Sequence, residues 1–171
     1  MTRPRYFLWY FFVVVFQILV CNHLHVSQYL VLSVLPVIVL LIPLQVSTIA
    51  AMLVAFATGI AVDMLADGLI GLNALALVPV ALLRKPLIAR IFGTEAFASK
   101  EDISLEHYGY MKFTIAIVLV QLLFLVIYVV TDSAGVRPFL FCLIRTVVSL
   151  AAGVLVSLPL AGVLSKENRD R

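Results

Sequence analysis

Few residues in this 171-residue chain could do chemistry, and those that could lie in or beside apolar runs. Asp63, Asp67 and Asp132 are carboxylates that could form an acid/base set with His23 or His25. Nothing in their spacing requires it. Two histidines with one residue between them make a poor metal site alone, so no metal is expected. The chain has no phosphate-cradling glycine loop, no His-Glu-x-x-His and no Gly-x-Ser-x-Gly. The expectation is a protein that is not an enzyme and carries no cofactor. Cys21 and Cys142 both belong near the outer side; free buried thiols are expected, with a disulfide between them the alternative that sequence alone cannot establish.

Ionisable residues inside an apolar run are costly, so each is a candidate for function. Ala51, Ala55, Gly59 and Asp63 recur at intervals of four, as do Arg145, Ser149, Gly153 and Ser157. Each set falls along one face of a helix. Small residues on such a face admit a second helix at close range. If the two helices are antiparallel spans, Asp63 and Arg145 lie near the same side of the bilayer, with backbones differing by ~6 Å in depth at 1.5 Å per residue. An arginine side chain covers most of that gap. This predicts face-to-face packing of the two helices and an Asp63–Arg145 pair. The alternative is an interfacial Asp63 and an Arg145 bonded to carbonyls or to a partner. Gln17 and Gln121 are expected to bond across helices as packing residues.

The elements that position these residues follow from composition. Hydrophobic residues make up 64% of the chain and charged residues 12%, about half the charged share of a soluble domain. A polar coat for a soluble fold is missing. The fold class expected is therefore an all-α polytopic membrane protein, because backbone polar groups in hydrocarbon must pair within helices. Six runs suit spans: 6–21, 29–43, 46–65, 72–88, 111–131 and 138–164, with Pro36, Pro79 and Pro159 inside the second, fourth and sixth. They form one integral membrane domain. The first is expected to be a retained anchor, because no small-residue cleavage site follows it.

Basic residues set the orientation. With the N-terminus in the cytoplasm, Arg3, Arg5, Arg84, Lys85, Arg90, Lys100, Lys112, Lys166, Arg169 and Arg171 fall inside. Arg137 alone falls in an outer loop, and Arg145 lies within the sixth run. That asymmetry predicts cytoplasmic N and C termini. It also explains the net charge of +3 as topology rather than nucleic-acid binding. The cytoplasmic loop 89–110, with Ser99-Lys100-Glu101-Asp102 as a helix-start box, is a connector or a docking surface.

The stretch 58–77 resembles the signature region of the rod shape-determining protein MreD family. That family has a span ending in Gly-x-x-x-Asp, a glycine-containing outer turn and a small-residue restart. Gly59 and Asp63 match the first part, Gly68 and Gly71 the turn, and Asn73 and Ala74 the restart. Leu83-Arg84-Lys85-Pro86 resembles the family's basic-proline exit. The resemblance implies a multi-pass protein of the bacterial inner membrane. It implies the partners MreC, the actin-like MreB and the peptidoglycan synthases of the elongation complex. It also implies a fold similar to the membrane substrate-binding component of energy-coupling-factor transporters. A vitamin-binding component of that kind is the competing reading. The bulky first span, Phe7 to Val15, departs from the small-residue docking motif such a component would carry. The same shape could leave an outer cavity near Asp63, Asn73 and Arg145, occupied by a lipid or a partner helix.

Overall fold

The computed structural model describes residues 10–15, 17–18, 31, 33–67, 70–93, 109–133 and 137–167, with backbone alone at 66–67 and 160–167. Cys21, His23, His25 and the Ser99 helix-start box lie outside the described residues. Every regular element among the described residues is helical, and none is a strand. Helix α1 covers residues 10–15 and 17–18. It is followed by α2 (Leu35–Leu40), α3 (Thr48–Val62), α4 (Leu72–Phe92), α5 (Tyr110–Ser133) and α6 (Phe139–Glu167). Among the described residues, three helical segments are long and apolar enough to cross a membrane: Thr48–Leu65, Tyr110–Ser133 and Phe139–Pro159.

Local chemistry accounts for several boundaries. Ser47 opens α3 by accepting a hydrogen bond from the Ala50 N–H at 3.2 Å, a serine N-cap that satisfies one orphan donor. At its far end α3 passes into a single wider π-turn, Asp63–Asp67. Helix α4 runs to Phe92, four residues beyond the expected end at residue 88. Pro79 and Pro86 are both accommodated within it.

The second apolar run departs most from expectation. It was expected to span 29–43, but Val31, Ser33 and Val34 are not helical and turns follow Leu40. Among its described residues only Leu35–Leu40 forms a helix. Pro36 sits in its first turn rather than mid-span, the place where a missing N–H costs nothing. Six residues make a helix of ~9 Å, too short to cross a core of ~30 Å.

All six residues of α2 are buried. The helix packs on both α4 and α5, and the rest of the bundle runs in sequence, α3 on α4, α4 on α5 and α5 on α6. The third and sixth apolar runs are thus not a face-to-face pair. The core lies around α2, where Val37, Val39 and Leu40 join Leu77 and Ile88 of α4 and Phe113, Ile117 and Phe124 of α5.

Candidate functional site

Asp63 is fully buried where α3 gives way to the turn before α4. One carboxylate oxygen accepts from the Asn73 backbone N–H at 3.0 Å and the Asn73 side-chain amide at 2.8 Å. The other accepts from the Gly71 N–H at 2.9 Å and, more weakly, the Ala74 N–H at 3.4 Å. These backbone donors belong to the start of α4, which has no preceding turn to bond to. A carboxylate there also meets the positive end of the helix dipole. Gly71 supplies the left-handed backbone (φ 104°) that turns the chain into this arrangement, a conformation glycine adopts freely.

Gly59 lies one turn before Asp63 and lets this happen. A β-carbon there would overlap the Ala74 backbone at Cα and N. Ala51 and Ala55 continue the same buried face. The small-residue face predicted on α3 therefore exists, but it seats α4 rather than α6. Thr58, on the neighbouring face, ties in α1 through a 2.6 Å hydrogen bond with the Tyr10 hydroxyl.

Arg145 does not meet Asp63. It forms an ion pair with Asp132 of α5, and both side chains are largely buried. The physical reason is proximity in the chain. Asp132 closes α5 and Arg145 lies in the second turn of α6, so the α5–α6 connection brings them together. Beside them the Cys142 thiol is free and donates to the Ser133 hydroxyl at 3.1 Å.

Three further polar residues converge on the stretch before α2. Ser149 of α6 accepts from the Val31 N–H at 2.8 Å. Gln17 of α1 accepts from the Val34 N–H at 3.0 Å. Gln121 of α5 donates its side-chain amide to the Ser33 carbonyl at 2.7 Å. Gly153 gives Gln121 its room, since a β-carbon there would overlap the amide nitrogen. Backbone without helical bonds is tolerated at membrane depth only where protein satisfies it. Three helices supply that satisfaction here. At the other end of α2, buried Arg84 donates Nε–H to the Leu40 carbonyl at 3.0 Å.

The predicted residues thus fall into two internal assemblies. Ala51, Ala55, Gly59, Asp63 and Asn73 form the α3–α4 junction. Ser149 and Gly153 serve the broken segment, and Arg145 stands apart with Asp132. Asp63 and Asp132 are held by separate partners rather than in one acid/base set. Sequence reading missed Arg84, which was assigned to the cytoplasmic charge cluster but is almost fully buried on α4. Its signal was the spacing of four from Val80 and Ile88, both buried core positions.

Compared with known proteins, the chain matches no family model, no curated protein and no solved structure.

The Arg145–Asp132 pairing has a measurable consequence. Removing one partner leaves a buried charge alone, at a cost on the order of 3 kcal/mol, whereas replacing both by apolar residues is close to neutral. Asp132→Leu or Arg145→Met alone should lower the melting temperature in mild detergent, and the double variant should recover most of the loss. Asp63→Leu should not be rescued by Arg145→Met. Coupling of 145 to 63 instead of 132 would contradict the pairing.

Proposed function

We propose that this chain is a non-enzymatic membrane component of the bacterial cell-elongation machinery, of the MreD type. In this reading it has six membrane segments, with both termini in the cytoplasm, and resides in the inner membrane. It binds MreC and helps organise peptidoglycan synthesis so that the cell remains a rod. Supporting the reading is the behaviour of the residues that carry the resemblance. Gly59, Asp63, Gly71, Asn73 and Ala74 are one mechanical unit, each needed by the next.

The small-residue faces are filled from within, so a partner helix docks elsewhere. The outer face of α6 is the best surface for MreC. Only 17% of its membrane-length window is buried, against 50% for α5. Leu140, Val147 and Leu155 stand exposed along it.

Depletion followed by microscopy tests the function. Rods should round up, and tagged MreC should co-purify with the wild-type chain but poorly with Val147→Trp/Leu155→Trp. Depleted cells that stay rod-shaped while vitamin uptake falls would overturn the proposal in favour of the transporter component.

A further inference from the structure

The geometry points to a binding seat for one anionic phospholipid, its acyl chain in the groove between α4 and α5 and its phosphate held by Arg90 and Lys112. The groove is lined by Leu83 and Leu87 of α4 and by Leu119, Leu122, Leu123 and Val126 of α5. Its volume is about 370 Å³, at the lower end of the range for small-ligand pockets. No side chain lining it is polar, so it suits a hydrocarbon chain. It offers nothing to orient a polar ligand.

Charge at one end of the groove selects the headgroup. On α4, Leu83, Leu87 and Arg90 are spaced by four and three, which keeps them on one helix face. On α5, Val126, Leu122, Leu119, Ile115 and Lys112 continue one face by the same rule. Both stripes begin as apolar groove wall and end in an exposed cation. Both ends lie where α4 stops and α5 begins. Arg90 stands ~4.5 Å beyond Leu87 and Lys112 ~10 Å beyond Leu119 along their helices. Tyr110, 77% exposed at the first position of α5, marks the same level, where aromatic side chains anchor at the headgroups. Basic residues flanking an inter-helix groove on the cytoplasmic side recognise anionic headgroups. The inference rests on the membrane reading and its orientation, and not on a role in cell elongation.

Native mass spectrometry of the full-length chain in detergent, titrated with phosphatidylglycerol or phosphatidylcholine of matched acyl chains, tests it. Phosphatidylglycerol should be retained at least several-fold better. Arg90→Gln/Lys112→Gln should weaken that retention roughly thirtyfold, since each basic residue contributes about 1 kcal/mol to anionic-lipid attraction. Leu119→Trp, which fills the groove, should reduce retention of both lipids at an unchanged melting temperature. Equal retention of the two lipids, or retention unaffected by either variant, would overturn the seat. Neither result would bear on whether depletion rounds the cells.

Discussion

Asp63→Ala is expected to leave little folded protein in the membrane. The substitution removes the acceptor of the Gly71 and Asn73 backbone N–H groups and of the Asn73 amide, with the Asn73 donors buried and the Gly71 N–H partly so. A buried donor left without an acceptor costs about 1–3 kcal/mol, so the combined loss is roughly 3–5 kcal/mol. Whole domains are stable by only about 5–15 kcal/mol. Asp63→Asn separates hydrogen bonding from the remainder. One oxygen survives to accept one pair of donors, while the new NH₂ confronts the other pair. Its cost should be about half that of alanine, and Asp63→Glu should not restore the wild type, because the longer side chain cannot fit the same four donors. Thermal unfolding in mild detergent, with chain abundance in membranes as a second readout, measures both. Asn and Ala variants that melt with the wild type would remove Asp63 from its place at the junction.

Asp63 also shows how far sequence reading reaches. Its helix face was legible from the interval of four, and Ala51, Ala55 and Gly59 are buried as that interval requires. Its partner was not. A search for opposite charge leads to Arg145, yet Asp63 is held by the Asn73 side-chain amide and by backbone N–H dipoles at a helix start, and the latter carry no mark in the sequence. Arg145 in turn pairs with the acid that the next helix connection places beside it. Local chain geometry decided both cases over bilayer depth.

The broken second segment was hidden for a related reason. Hydropathy reports whether residues suit hydrocarbon, not whether their backbone is helical. The features that exposed the break were remote. Gln17, Gln121 and Ser149 lie in three different apolar runs, and each bonds to backbone beside the break. They meet there the N–H groups of Val31 and Val34 and the carbonyl of Ser33. Arg84 was obscured by Lys85 and Arg90, whose company made it resemble a loop charge, although its spacing on α4 is that of a core residue.

Gly59→Ala is expected to cost more than its single methyl suggests, about 2–3 kcal/mol. The added carbon meets the α4 backbone at Ala74, which cannot swing aside as a side chain can. The helices must part, and the parting draws the Asn73 and Ala74 N–H groups away from Asp63. Gly59→Ala and Asp63→Ala thus act on one set of bonds, and their combination should cost clearly less than the sum of the two, the mark of residues in a shared network. Gly153→Ala supplies the contrast. There the added carbon meets the end of Gln121, a flexible amide that yields by releasing the Ser33 carbonyl, at about 1 kcal/mol for one neutral hydrogen bond. Its effect should add to that of Asp63→Ala, because the two lie in separate assemblies. Unfolding midpoints of the three singles and two doubles decide the matter. Strict additivity at Gly59, or equal costs at the two glycines, would mean that the α3–α4 junction does not depend on backbone contact.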